Sequence, residues 1–420
     1  MAENKKMREM KSSGIGWVHE IPIDWNVIRG KYLFTNDKML VGAKLEEYER
    51  LALTMKGVVK RSKDDTEGLQ PDKFNTYQIL RTGELVFKLI DLQNISTSRV
   101  GLSPYTGIVS PAYIILKGNE QILPEYAEKY YLMMWMNQVF NALGDSGVRS
   151  SLNASELLDL SLPLPSIEEQ RRIADFLDNE CGKIDSIIAD VEKQIEILEQ
   201  YKRSVITTIV TKGMSSDIHI RERDQWFGGI PIQWEIARIG SLYKLRNTKV
   251  NDRDYAPLSV TMQGVVPQLE TAAKTNAHDD RKLVRKGDFV INSRSDRRGS
   301  CGISSQDGSV SLINIVLTPL QNMNPSYYNW LFHSVGFSDE FYKWGHGIVD
   351  DLWTTTWQDM KNIVIPVPPL EEQQAIADYL DKKCAEIDGV IADKKEQLEV
   401  LENYKKSVIY EYVTGKKEVV

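Results

Sequence analysis

Cysteine and histidine are scarce in this chain. Three cysteines (Cys181, Cys301, Cys384) and five histidines in 420 residues are scattered without the short spacings of a metal site. Three thiols cannot staple a disulfide scaffold, and they fit a reducing cytoplasm, where we expect the protein to work. No apolar run approaches the ~20 residues of a membrane span. The opening MAENKKMREMK is charged and has no apolar stretch behind it. It reads as a frayed or helical lead-in and not as a secretory signal. There is no P-loop, and Gly14-x-Gly16 and Gly345-x-Gly347 are too short and badly placed to cradle a dinucleotide or S-adenosylmethionine. Pro71-Asp72 followed by Glu84 and Lys88 lacks the Glu-x-Lys spacing of a common nuclease core. We expect no catalytic, cofactor or metal site.

What the chain does have is a long segment that occurs twice. PLPSIEEQRRIADFLDNECGKIDSIIADVEKQIEILEQYKRSVI begins at Pro163, and PVPPLEEQQAIADYLDKKCAEIDGVIADKKEQLEVLENYKKSVI begins at Pro366. The copies align without a gap, 203 residues apart, and roughly half the positions are identical. In the first, Ile173, Leu177, Cys181, Ile184, Ile188, Val191, Ile195, Leu198, Tyr201 and Val205 recur at steps of mostly three and four. The second gives Ile376, Leu380, Cys384, Ile387, Ile391, Leu398, Leu401, Tyr404 and Val408, with Lys394 interrupting the seam. That pattern predicts a coiled coil. Ser166 with Glu169 forms a capping-box signature. Pro165, Pro368 and Pro369 mark the helix starts, and Gly213 and Gly415 the ends. About 45 helical residues would extend up to ~68 Å.

The simplest partner for each helix is the other copy. A domain of ordinary size lies between the end of the first and the start of the second, which favours antiparallel packing and a pseudo-twofold axis. Cys181 and Cys384 then lie apart, as small apolar seam residues. The alternative is that both helices dock on another subunit.

The regions before each helix repeat as well. IPIDW (residues 21–25) matches IPIQW (230–234), and LTMKGVV (53–59) matches VTMQGVV (260–266). RTGELVF (81–87) matches RKGDFVI (285–291), and GIVSPAYIIL (107–116) matches GSVSLINIVL (308–317). Short β-branched runs beside glycine turns predict strands. The segments after Pro124 and Pro325 predict helices with proline in the first turn. NPSY (324–327) differs by one residue from the Asn-Pro-Pro-Tyr motif of amino-methyltransferases. Its counterpart LPEY (123–126) makes a repeated helix start the simpler reading.

The net charge of −7 looks wrong for a nucleic-acid partner until it is located. Residues 163–213 carry 7 basic and 10 acidic side chains, and residues 366–420 carry 8 and 12. The rest of the chain is balanced, 37 against 37, so the acidity sits on the helices. Residues 281–298 hold 7 basic and 2 acidic residues, among them Arg294, Arg297 and Arg298. The first domain offers Lys56, Lys60, Arg61, Lys63, Lys88 and Arg99. Such cations can meet phosphates or guanine edges, or be solvated surface charge. Lys56 and Gln263 occupy the same place in the repeated turn; each is a base-reading position or a partner in a loop hydrogen bond.

The two IPxxW entries, the two TMxGVV turns, the RxG turns and the duplicated PxPxxEEQxxIADxLD helix resemble the specificity subunit of type I restriction–modification systems. The resemblance spans nearly the whole chain. It implies an α+β architecture: mixed α/β target-recognition domains (residues 1–162 and 215–365) joined by conserved helical regions (163–214 and 366–420) packed as an antiparallel coiled coil. It also implies a non-catalytic subunit in which each domain reads one half of a bipartite double-stranded DNA target. The helices would set the spacer and dock two modification subunits, which carry S-adenosylmethionine and methylate adenine. Restriction subunits join where the complex cleaves. The residues expected to serve helix pairing or docking are Ile173, Leu177, Ile184, Ile188, Ile195, Leu198, Ile376, Leu380, Ile387, Ile391, Leu398 and Leu401. Two other classes stay open: an adaptor presenting two protein-binding domains, and a methyltransferase with an unrecognised cofactor site.

Overall fold

The computed structural model describes residues 8–65, 74–92, 99–144, 151–214, 219–222, 225–270, 278–320, 323–347 and 353–419. The expectations on residues 1–7 and on Pro71-Asp72 lie outside these. The chain divides into two compact units, Met1–Val191 with Glu396–Val420, and Glu192–Lys395. Each therefore combines one α/β region with the start of one long helix and the end of the other.

In the first unit, β1 (Met10–Ile15) and β2 (Val18–Pro22) form a hairpin that takes in the last two residues of the opening segment read as a frayed or helical lead-in, and β3 (Asn26–Arg29) follows. Alternation of buried and exposed residues along Met10–Ile15 suits a strand packed on one face. Next come β4 (Phe34–Thr35), β5 (Arg50–Thr54), β6 (Gly57–Arg61), β7 (Gln78–Leu80), β8 (Leu85–Phe87), β9 (Val100–Leu102), β10 (Gly107–Val109) and β11 (Ile114–Gly118). They build two four-stranded sheets, ordered β6-β5-β10-β7 and β4-β11-β8-β9. Helices α1 (Pro124–Met136), α2 (Val139–Leu143) and α3 (Ala154–Asp159) lead to β12 (Ser161–Leu164), which pairs with β3. Pro163 thus sits in an edge strand, where its missing N–H does no harm. The long helix α4 runs Ile167–Lys212.

The second unit repeats the plan. Strands β13 (Ile220–Arg221), β14 (Ile230–Pro231) and β15 (Glu235–Arg238) precede α5 (Ile239–Leu242) and β16 (Tyr243–Leu245). Strands β17 (Lys249–Val250), β18 (Leu258–Thr261), β19 (Gly264–Pro267), β20 (Arg281–Val284), β21 (Phe289–Asn292), β22 (Cys301–Ile303), β23 (Gly308–Ser311) and β24 (Asn314–Pro319) follow. The order β16-β24-β21-β22 repeats β4-β11-β8-β9. Helices α6 (Pro325–His333), α7 (Val335–Lys343) and α8 (Trp357–Met360) lead to β25 (Val364–Val367), which pairs with β15, and to α9 (Leu370–Val413). Asn324 caps α6 by accepting from the Tyr327 N–H at 3.0 Å, so NPSY is a helix start.

The repeated IPxxW and EEQ motifs explain each other. Trp25 is buried and its indole N–H donates to Glu169 Oε2 at 3.0 Å; Trp234 does the same to Glu372 at 2.8 Å. Ser166 caps α4 at the Glu169 N–H, 3.2 Å, but the Glu169 carboxylate is held by Trp25 and Arg8. The glutamine beside each glutamate is buried: Gln170 Oε1 accepts from the Leu123 N–H at 2.8 Å, and Gln373 Oε1 from the Asn324 N–H at 2.9 Å. These bonds fix the start of each long helix to the loop before α1 or α6. The other helix's end is tied by a tyrosine. Tyr126 Oη donates to the Val413 carbonyl at 3.2 Å, and Tyr327 Oη to the Val210 carbonyl at 3.0 Å. Carbonyls in a last helical turn have no intrahelical partner, so a buried hydroxyl there satisfies a real need. Trp234→Phe keeps an aromatic ring, though a smaller one, and leaves Glu372 without its donor. A hydrogen bond to a charged group contributes about 2 kcal/mol, so the urea midpoint should fall accordingly; an unchanged midpoint would show the bond to be idle.

Within each unit the two long helices run antiparallel. Lys405 meets Asp185 at 2.6 Å in the first unit, and Lys202 meets Asp388 at 2.6 Å in the second. These are the same pair of repeat positions. Ile173, Leu177, Ile184, Ile376, Leu380, Ile387 and Ile391 are buried, while Ile188, Ile195, Leu198, Leu398 and Leu401 are half-buried. Lys394 reaches across to Gln194, so the break in the apolar seam is a polar pair. Cys181 and Cys384 are buried free thiols in separate cores.

Tyr201 and Tyr404, expected in the seam, are exposed instead. Ile195, Leu198 and Tyr201 are two successive steps of three, and each such step rotates about 60° short of a full turn. The second carries Tyr201 off the seam, and Lys202 takes its place.

Candidate nucleic-acid interface

The TMxG motif is a tight hairpin tip in both units. Between β5 and β6, Thr54 Oγ1 accepts from the Lys56 N–H at 3.1 Å and donates to the Gly57 carbonyl at 3.0 Å. Between β18 and β19, Thr261 does the same to Gln263 and Gly264, both at 3.1 Å. The glycines have φ of +87° and +114°, conformations that a side chain would strain. The side chains of Lys56 and Gln263 are left exposed at the tips. The loop hydrogen bond expected at this position belongs to the backbone N–H, which leaves both side chains clear of it.

The predicted cations fare differently. Lys60 pairs with Glu49 at 2.5 Å and lies over the Tyr105 ring; Arg61 pairs with Asp65 at 2.6 Å. Lys63 donates to the Leu45 carbonyl at 2.8 Å, with Glu46 at 3.6 Å. They line a shallow cleft of about 460 Å³ with four acidic and four basic side chains, so the cleft presents no net positive field. Lys88 is half-buried, and its pKa is pushed down by burial and by Arg99. Arg99 is a correction to the sequence reading. It is 1% exposed, and its guanidinium donates to the carbonyls of Lys88, Ile90 and Asp91 at 3.2, 2.9 and 2.5 Å. Bonded to its own loop, it braces the fold and is not open to the surface.

In the second unit the basic run of residues 281–298 divides. Arg281 is buried and donates to Ser309, Lys282 donates to the Asn314 carbonyl, and Arg285 pairs with Asp307. These serve the sheet. Arg294, Arg297 and Arg298 lie together on the β21–β22 loop, the first half-buried and the other two exposed. Asp296 accepts from Arg294 at 3.0 Å and lies 3.7 Å from Arg297, and Asp339 lies 3.1 Å from Arg298. Exposed pairs of this kind contribute under ~1 kcal/mol and can yield to phosphate. The loop adjoins the hairpin tip: a Cβ on Gly299 would stand 4.0 Å from Met262 Cε. Gln263 and the three arginines therefore belong to neighbouring surface loops of one domain.

Cys301 and His333 lie 3.7 Å apart, Sγ to Nε2. Burial pushes the thiol's pKa up and the imidazole's down. Both are held neutral, which is the opposite of an activated thiolate–imidazolium pair. Among the described residues, no three His, Cys, Asp or Glu side chains gather as metal ligands.

The sequence matches the type I restriction modification DNA specificity domain over residues 30–198 and again over 231–400. The chain belongs to that family. Two matches in tandem account for most of its length and coincide with the internal repeat. It is 25% identical to a putative type I restriction enzyme MjaX specificity subunit of Methanocaldococcus jannaschii, across 98% of this chain and 97% of that one. It is 22% identical to the EcoBI specificity subunit of Escherichia coli, across 68% of this chain and 64% of that one. A chain solved in work on complex assembly and conformational transition of a type I R-M system superposes with a TM-score of 0.70 at 15% identity, covering 94% of this chain and 99% of the other. The fold is therefore that of a specificity subunit, the DNA target-recognition component of a type I system.

Two features escaped the sequence reading. One is Met55 and Met262, exposed beside Lys56 and Gln263. The other is a set of exposed apolar side chains on the long helices. Ile187, Val400 and Tyr404 are exposed in the first unit, and Val390, Ile197 and Tyr201 in the second. These are the same three repeat positions. No described helix is long and apolar enough to cross a membrane.

Proposed function

We propose that this specificity subunit reads a bipartite duplex target, one half per recognition domain, with an unread spacer set by the long helices. The reading rests on one observation above all: the same rigid hairpin tip is built twice, with a different residue, Lys56 or Gln263, at the exposed position. Lysine suits guanine and glutamine suits adenine, so one frame can present two specificities. The recognition domains are residues 1–162 and 215–365, and the helical regions are 163–214 and 366–420.

The helices dock two modification subunits. The solvent-facing apolar triplet occurs once in each unit, as two copies of one partner require. The acidity of these segments calls for a basic partner surface. S-adenosylmethionine binds on the modification subunits, and this chain contributes recognition without a chemical step. Restriction subunits join the same assembly in the cytoplasm where it cleaves.

The test is salt dependence. Replacing Arg294, Arg297 and Arg298 with Ala in the assembled complex removes up to three phosphate contacts. The slope of log Kobs against log salt should become shallower by up to about one unit per contact. If one of them instead reads a base, its single mutant should relax one position of the target by ~1–3 kcal/mol. Unchanged slope and unchanged affinity would make them ordinary surface charge.

A further inference from the structure

Met262 is the most exposed large apolar side chain among the described residues, at 67%, and its counterpart Met55 is 59% exposed. Each sits on a hairpin tip whose backbone is locked by the threonine hydroxyl bonds described above. Each hairpin is also seated on the neighbouring sheet through a glycine. A Cβ on Gly101 would lie 2.8 Å from Leu53 Cδ1, and one on Gly302 would lie 2.7 Å from Gly264 Cα. The tip is therefore held firmly at the surface. A turn of this type is served by small polar residues, and neither methionine fills a core. Turn geometry does not explain them.

Their pattern does. The residue after each methionine differs between the domains, while the methionine is the same in both. A contact that reads a base should change with the sequence read, and a contact indifferent to sequence need not. Methionine is apolar, unbranched and slender enough to enter a base step. In the second domain it adjoins the arginine loop, which would draw the backbone in. We propose that Met55 and Met262 are wedges: each enters a base step of its half-site, partly unstacks it and kinks the duplex, while Lys56 or Gln263 reads the adjoining base edge. Apolar wedges of this kind unstack steps at a cost of a few kcal/mol, offset by the contacts a bent duplex makes. The kink should favour pyrimidine–purine steps, which deform most easily. This rests on the specificity-subunit reading.

The experiment uses the assembled complex with its modification subunits and a target duplex found by mapping methylated adenines. 2-Aminopurine is placed in turn at each purine of both half-sites except the methylated adenines. Its fluorescence should rise several-fold at one step in each half. Met262→Ala should abolish the rise in the half read by the second domain, leave the other intact and weaken binding by about tenfold. Met262→Leu should keep the rise, because an apolar side chain of similar volume still enters. Met55→Ala should do the same to the first half. Target binding by the wild-type complex without any rise, or an undiminished rise in both alanine variants, overturns the wedge alone. A loss of affinity in Met262→Ala confined to duplexes with thymine at one position, without an unstacking signal, also overturns it and makes Met262 a reader of the thymine methyl. Failure of the wild-type complex to bind the target overturns the reading beneath it.

Discussion

Exchanging residues 1–162 for the same segment of a relative with another target should replace one half of the methylated sequence and leave the other half and the spacer unchanged. The structure says what the donor must carry. Trp25 has to meet Glu169, and Tyr126 has to reach the Val413 carbonyl, because these bonds tie the first domain to the helices that stay behind. The donor also needs a strand able to continue through β12, since that strand crosses the junction at Pro163. The bonds that the second domain makes to its helices, Trp234 to Glu372 and Tyr327 to Val210, involve none of the exchanged residues. The effect is therefore all or nothing at one half-site. Mapping methylated adenines in cells carrying the hybrid reads it directly. A change in both halves would contradict independent readers and point to recognition shared between the domains.

Much of this was legible in the sequence because repetition doubles every signal. The long helices followed from their period and caps, and the antiparallel pairing followed from chain connectivity. The duplicated Trp and Glu-Gln motifs were visible as motifs, but their meeting was not, since 144 residues separate Trp25 from Glu169. Tyr201 was misplaced because heptad counting tolerates successive steps of three that a real helix does not. The arginines show the sharper limit. Composition alone ranked Arg99 with Arg298, yet one braces its own loop and the other lies exposed beside Asp339. Which cations face solvent depends on strand register and loop closure, and neither is written in local charge. Met55 and Met262 stand in the repeated TMxGVV turn. In sequence alone, an apolar residue beside two strands reads as core, and only the fold gives its exposure.

Lengthening both helices by one heptad at matched levels should lengthen the spacer of the target. The pairs Lys405–Asp185, Lys394–Gln194 and Lys202–Asp388 fix the level: insertions after Gln194 and after Lys394 meet each other across the pair. Seven residues keep both seams in phase and add ~10.5 Å along the helices. At ~3.4 Å per base pair this corresponds to about three extra pairs between half-sites. Three pairs also rotate one half-site by roughly 100° about the duplex axis, given ~10.5 pairs per turn, so the duplex or the domains must twist to follow. The expected outcome in methylation mapping is the same two half-sequences with a longer gap. A four-residue insertion in each helix would add ~6 Å but turn the seams off each other, and should cost stability before it changes spacing. Retained methylation at the original spacing in the heptad variant would remove the helices as the ruler and assign spacing to contacts between the domains themselves.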